Sequence, residues 1–495
     1  MRGLRLLDLG IILVYLLGIT WFGARFRHGQ QNLRDYFLGG RTTPWWAIAF
    51  SIVSAETSTL TIIGTPALAF AGNLGFLQVV LGYLLARIVI SLLLLPHYFR
   101  GEMFTAYELM RRRFGERIRN LTACTFLITR ALAEGVRVFA ISIVISIVLG
   151  TGEIISIILI VCLTLFYTFE GGMTAVIWTD VIQMCLYIAG AALSFWVILN
   201  QIPGGWDHVV AVAGSAGKFQ IFDMSFVFSN EFFSRTYTFW AGIAGGCFLT
   251  TATHGTDQLM VQRLLSARSQ RESRLALLGS WLVIAIQFTI FLLIGLMLYV
   301  DYSISGLAPP VPADRIYPEF IWKHLPAGVA GIVVAAILAA AMANISAALN
   351  ALASTTIVDF LKPFDARRGA AAVRPEADYL KLARMATVMW GLVLLGIGIL
   401  ARKWGSVLET GLAIASIPFG ALLGVFLLGV VTRRVKENAA IAGMIAGLLL
   451  MTYVRFFTSI AWTWYVLIGT AVTFLIAWVF TLAENLRSAF AERPR

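Results

Sequence analysis

The chain has 495 residues, 59% of them hydrophobic and 13% charged, with a formal net charge of +12. A mean hydropathy of +0.83 lies outside what a soluble globular domain sustains and defines a polytopic membrane protein. The basic excess sits in short clusters between apolar runs, as topology-setting charges do, which excludes nucleic acid as a partner.

The first element, "MRGLRLLDLGIILVYLLGITWFGARF", carries an apolar run of about 20 residues followed by Arg25 and Arg27, so it reads as a retained span rather than a signal peptide. Apolar stretches long enough to cross a bilayer then recur at roughly 45 to 71, 74 to 99, 118 to 150, 153 to 169, 174 to 201, 237 to 262 and 275 to 300. Others follow at roughly 327 to 358, 382 to 401, 405 to 432, 438 to 456 and 460 to 483. The expectation is an all-α protein of about 13 transmembrane helices, because lipid leaves an exposed backbone amide no partner outside its own helix. Loops of 202 to 236 and 302 to 326 are the long ones on one side; 363 to 381 is the longest on the other.

Basic residues fall on alternate loops: Arg25, Arg27, Arg34 and Arg41, then "RRRFGERIR" at 111 to 119, then Arg263, Arg268, Arg271 and Arg274. Lys362, Arg367, Arg368, Arg374, Lys381 and Arg384 continue the pattern, as do Arg433, Arg434 and Lys436. The positive-inside rule makes this side cytoplasmic, with the N-terminus outside and the C-terminus inside a cell membrane.

Three spans carry chemistry. "SIVSAETSTLTIIGTPAL", residues 51 to 68, places Glu56 among hydroxyls and closes with Gly64 and Pro66, a composition that lets a helix break at membrane depth. A counterpart, "FWAGIAGGCFLTTATHGTDQLMVQRLL" at 239 to 265, gathers glycines and hydroxyls around His254 and Asp257. Paired interrupted helices at corresponding positions of two halves point to an inverted-repeat transporter with a midplane site, although small residues also serve plain helix packing.

In "TRALAEGVRVFA", Arg130, Glu134 and Arg137 share one helical face. Arg137 is the sharper candidate for a substrate carboxylate, since Arg130 lies nearer the cytoplasmic end. The alternative is a structural network in which Glu134 satisfies one arginine and Arg87 finds Glu56. In "AAILAAAMANISAALNALASTTIVDFLKP", residues 335 to 363, Ala340, Ala343, Asn344 and Ala347 line one face of a thin helix that suits close packing, or oxygen ligation of a small hard cation. No cysteine pairing, HExxH cluster or phosphate loop is visible, and no nucleophile and base are arranged for catalysis, so neither an enzyme nor a bound cofactor is expected.

The motifs "DYFLGGR" (35 to 41), "FTAYELMRRRFG" (104 to 115), "YTFEGGMTAVIWTDVIQ" (167 to 183), "TDQLMVQRLLSA" (256 to 267), "LNALASTTIVDFLKP" (349 to 363) and "FGALLGVFLLGVVTRR" (419 to 434) resemble those of the sodium/solute symporter family. The resemblance implies a LeuT-like core of two inverted five-helix repeats, 45–201 and 237–432, separated by the loop 202–236. Residues 1–44 would add one helix and a linker, and 433–495 two helices and a short tail. It also implies a sodium site on the backbone carbonyls of Ser54, Thr57 and Ala340, with side-chain ligands at 343 and 344. The family usually carries Ser or Thr at both positions, whereas this chain has Ala343 and Asn344. Ser346 is a candidate for a second ion site. Glu56, Thr61, Gln78, Arg137, Asp257 and Gln258 are the candidate solute-binding side chains.

The expected function is alternating-access import of a small polar organic solute, with a carboxylate-bearing one favoured over a neutral sugar, by a monomer in the lipid bilayer and driven by sodium. Two alternatives stand beside it. One is proton coupling through Glu56 or Asp257; the other is a transport-inactive sensor, for which only about a dozen residues follow the last span.

Overall fold

A computed structural model describes residues 6–26, 32–101, 103–149, 152–226, 230–310, 313–369, 373–402 and 407–491. Among these there is no β-strand, only an isolated bridge between Thr43 and Ala267. In chain order the principal helices begin with α1 (Leu6–Ala24), α2 (Trp45–Glu56), α3 (Thr59–Ala71), α4 (Leu77–Val89), α5 (Glu116–Leu149) and α6 (Glu153–Gln201). They continue with α7 (Phe239–Gly255), α8 (Gln258–Leu265), α9 (Gln270–Ser305), α10 (Val329–Thr355), α11 (Glu376–Ala401), α12 (Val407–Val431), α13 (Glu437–Phe457) and α14 (Tyr465–Ala491).

Eight described helices are long and apolar enough to cross a membrane, or nine if the pair Trp45–Glu56 and Thr61–Ala71, bent by 65°, forms one span. That count covers the described residues only; among the expected spans, α7 and α8 are separated by the second break and are short when taken singly. Within α6 the chain turns at Gly172, whose φ of 54° and ψ of −151° are open to glycine and strained for other residues.

The hydroxyl-rich run breaks as its composition leads one to expect. Thr57 ends α2 with an extended backbone, φ −82° and ψ 110°, while its hydroxyl donates back to the Val53 carbonyl at 2.8 Å. Ser58 then restarts the helix: its hydroxyl accepts from Thr61 N at 3.3 Å, and the Thr61 hydroxyl accepts from Ser58 N at 3.3 Å, a reciprocal capping box. The second break mirrors the first. Thr256 leaves helical geometry after α7, and Asp257 caps α8 by accepting from Leu259 N at 2.9 Å.

Around these breaks the bundle packs backbone to backbone. A Cβ on Gly82 would meet the Gly242 and Ile243 carbonyls at 2.7 Å, and one on Gly246 would meet the Val79 carbonyl at 2.4 Å, so α4 and α7 touch only because both lack side chains there. The alanine-rich α10 runs through the centre, with 94% of its apolar window buried. Its N-terminus is closed by a carboxylate from another helix: Asp8 of α1 accepts from Gly328 N at 2.7 Å and Gly331 N at 2.9 Å, two donors that no residue of α10 can satisfy.

Candidate functional site

The two breaks, α5 and α10 enclose three polar clusters. The first lies where the α2 to α3 break meets α10. The Asn344 amide nitrogen donates to the Thr57 carbonyl at 2.7 Å and the Ala340 carbonyl at 2.9 Å. The Thr57 hydroxyl accepts from the Gln287 amide of α9 at 2.8 Å. Ser54 Oγ and Asn344 Oδ1 are buried without a hydrogen-bond partner among the described residues. Ala343 is fully buried and contributes no side-chain ligand; its carbonyl accepts from the Ser346 hydroxyl at 3.1 Å. Carbonyl, amide and hydroxyl oxygens from two helices are a donor set of the kind a small hard cation takes, while in this arrangement the Asn344 NH2, and not its Oδ1, meets the two carbonyls. No group of three His, Cys, Asp or Glu able to hold a metal occurs among the described residues.

The second cluster surrounds Glu56. Its carboxylate accepts from the Arg87 guanidinium at 2.6 Å and lies 3.3 Å from His254 Nε2, while Arg87 also donates to the Ser280 hydroxyl at 3.1 Å. Arg87 is completely buried and the Glu56 side chain only 13% exposed. Each charge offsets part of the desolvation cost of the other, as the members of a buried ion pair do. His254 is set by its neighbour, with Nδ1 at 3.0 Å from the Thr253 hydroxyl.

The third cluster is the charged face of α5. Glu134, fully buried, takes Arg137 at 2.7 Å and Arg130 at 3.4 Å, and Arg130 reaches across to Asp257 at the second break. Arg137 differs from the other buried-cluster arginines in keeping 30% of its side chain exposed. It faces a small cavity lined by Ser58, Thr59, Glu134, Arg137, Ala140, Ala341, Asn344 and Ile345. One guanidinium edge is held by Glu134; the exposed part is free to meet a ligand anion in a bidentate geometry.

Of the expected solute-binding side chains, Arg137 therefore lines this cavity, and the structure engages the others elsewhere. Thr61 completes the capping box. Gln78 is fully buried, donating to the Gly75 and Tyr237 carbonyls at 3.1 and 3.3 Å and accepting from Asp223 N at 3.0 Å, which ties the loop before α7 to the start of α4. Gln258 accepts from Ala106 N at 2.8 Å and donates to the Phe104 carbonyl and the Ser354 hydroxyl at 3.0 and 3.3 Å. Glu56 and Asp257 sit in the arginine pairs.

A further cluster had no counterpart in the sequence reading. Arg263, read there as one of a row of topology-setting cations, is 1% exposed; it pairs with Asp180 at 2.8 Å and donates to Ser51 at 2.8 Å, and Ser51 in turn donates to Asp180 at 2.5 Å. Asp180 lies within a quoted motif, but nothing in its local pattern names a partner 83 residues away. Gln287, which supports the first break from α9, has no distinguishing neighbours in the sequence either.

An all-helical membrane bundle with two helices broken at facing positions, and an oxygen-lined cleft joined to a cationic cavity between them, is the architecture of a LeuT-like secondary transporter. The fold agrees with that of a Na+-coupled sialic acid symporter solved in a substrate-bound outward-open state, at a TM-score of 0.86, 24% identity, and coverage of 97% of this chain and 98% of that one. Mhp1, a nucleobase-cation-symport-1 family transporter in a closed conformation, aligns at 0.57 with 12% identity over 90% of this chain and 94% of its own. The sodium:solute symporter family model matches residues 36–447, and the chain belongs to that family. Its relatives include the human sodium/iodide cotransporter, 28% identical over 90% of this chain and 69% of that protein. The mouse sodium-coupled monocarboxylate transporter 2 is 27% identical over 88% and 70%, and the sodium/sialic acid symporter SiaT of Proteus mirabilis 26% identical over 94% and 92%. The chain is thus a membrane transporter and not an enzyme.

Proposed function

We propose that the protein imports a small organic solute bearing a carboxylate, coupled to sodium, by alternating access around the Arg137 cavity. The observation that carries the solute class is Arg137 itself: a guanidinium with one edge anchored on buried Glu134 and 30% of its side chain open to the cavity. Relatives named for sialic acid and monocarboxylates share carboxylate chemistry, which supports the same reading. Sodium would bind at the first break on oxygens of Ser54, Thr57, Ala340 and Asn344, with Ser346, two residues further on, the candidate for a second ion; Ala343 leaves space there rather than a ligand. Asn344 touches both the ion cleft and the cavity, so ion and solute occupancy meet at one residue. The carboxylates that proton coupling would need, Glu56 and Asp257, are each paired with an arginine, and a proton would have to break a buried pair to load either. That favours sodium.

The repeats of this reading span 45–201 and 237–432, with the loop 202–236 between them, 1–44 before and 433–495 after. In this reading, which the positive-inside pattern of the basic loops supports, the C-terminus is cytoplasmic, the N-terminus is outside, and the bundle works as a monomer in lipid. A thermal-shift screen of the purified protein against monocarboxylates, sugar acids, amino acids and neutral sugars, with sodium or choline, tests the reading, since a ligand of the native state raises Tm. A carboxylate that stabilises only with sodium supports it. Stabilisation by neutral sugars alone, indifferent to sodium, contradicts it.

A further inference from the structure

A helix that ends at Thr57 leaves that residue's carbonyl without an intrahelical donor, and a buried carbonyl demands a partner. In α10 the Ala340 carbonyl points to the same cleft. One group serves both: the two hydrogens of the Asn344 NH2 bridge Thr57 at 2.7 Å and Ala340 at 2.9 Å, joining the broken helix to the central one. These are the carbonyls on which the sodium-coupled reading places the ion. A cation and an amide NH2 are both positive poles for a carbonyl oxygen, so the two exclude each other from that spot. The other end of the same amide, Oδ1, is a buried acceptor with no hydrogen-bond partner among the described residues, on a residue only 2% exposed. A half-turn of the amide plane exchanges the two ends: the NH2 leaves the carbonyls, and Oδ1 faces the cleft as a third oxygen. Serine or threonine in the same place has no nitrogen to interpose, and Ala343 beside it offers no alternative ligand.

We propose that Asn344 is an internal competitor of the coupling ion, a specificity-determining residue whose NH2 stands in for the cation when the carrier carries none and whose Oδ1 ligates it after the amide turns over. Two consequences follow from the geometry, given the sodium-coupled reading on which they rest. The ion-free carrier keeps α2 and α3 docked on α10, and sodium binds weakly because it must first displace two hydrogen bonds.

The test is a sodium titration of the full-length purified protein at constant ionic strength, choline replacing sodium, read by tryptophan fluorescence and by Tm, on wild type, Asn344→Thr and Asn344→Ser. Both variants remove the NH2 and keep an oxygen. The expected result is a sodium half-saturation lowered about tenfold or more, as the loss of two competing amide hydrogen bonds implies, together with a lower Tm in choline and a wider sodium-induced Tm rise. If one variant does not fold, the other decides. An unchanged half-saturation in a folded variant, with wild type still responding to sodium, overturns the competitor role and leaves sodium coupling standing. Silence of wild type and variants alike at all sodium concentrations overturns the coupling reading and the competitor role together.

Discussion

Replacing Glu56 by glutamine separates its two possible roles. Arg87 is fully buried and its partner is 2.6 Å away, with His254 at 3.3 Å on the other side. Removing one member of a buried pair costs about 3–5 kcal/mol, chiefly because the surviving charge is left uncompensated. Glutamine keeps one oxygen able to accept from Arg87, and Ser280 holds Arg87 Nε at 3.1 Å, so the loss falls at the lower end, about 3 kcal/mol. The assay is apparent Tm at one fixed scan rate, by intrinsic fluorescence in detergent, for wild type, Glu56→Gln, Arg87→Gln and the double variant. Each single change lowers Tm by several degrees, and the double variant loses less than the sum, because the second substitution removes the stranded charge left by the first. Strictly additive losses, or a Glu56→Gln protein with wild-type Tm, would refute the pairing. A variant of wild-type Tm that no longer transports would return Glu56 to direct contact with solute or ion.

Other outcomes follow from single contacts. Arg137→Gln raises the half-saturating concentration of a carboxylate solute by about 10- to 100-fold, the worth of a charge-assisted hydrogen bond, and also lowers Tm, because buried Glu134 is left with Arg130 at 3.4 Å as its one arginine; equilibrium binding and a melting curve read both. Gly82→Ala forces a Cβ to 2.7 Å from two carbonyls and destabilises the α4 to α7 contact by about 1–3 kcal/mol, visible as lower Tm and yield. In the loop before α7, hydrogen bonds from Ser225, with Arg235 adding its charge, hold the Asp223 carboxyl below its ordinary value of 3.8. A folded-state pKa below the unfolded one makes this anchor fully effective above that value and weaker as pH falls through the folded pKa. Limited proteolysis of the loop therefore stays constant from neutral pH down to about 4 and rises only below it, whereas Asp223→Asn shows the increased cleavage at neutral pH.

Much of the fold was legible because its signals are local. Membrane spans follow from apolar run length, and the breaks at 57–58 and 256–257 from hydroxyls, Gly and Asp where helix formers are expected. The α5 charges were readable as a set because residues three and four apart share a face; that Glu134 takes both arginines depends on rotamers that spacing does not specify. The remainder is tertiary. Arg263 lies at the end of a span beside Arg268, Arg271 and Arg274, where a buried arginine and a topology-setting one look alike, and only the return of α6 brings Asp180 to it. Gln78 and Gln258 are polar residues near the breaks, yet their amides close contacts between segments instead of facing the cavity. At Asn344 the departure from a hydroxyl was visible, but the direction of its amide depends on two carbonyls from two helices.

The decisive measurement is uptake of a labelled carboxylate solute into proteoliposomes under an inward sodium gradient, compared with equal choline and with an inward proton gradient in sodium-free buffer. Accumulation above the external concentration with sodium, its absence with choline or protons, and its loss in Arg137→Gln are the predicted results. Equal accumulation under the proton gradient without sodium, or full uptake by Arg137→Gln, would contradict sodium-coupled transport through the Arg137 cavity.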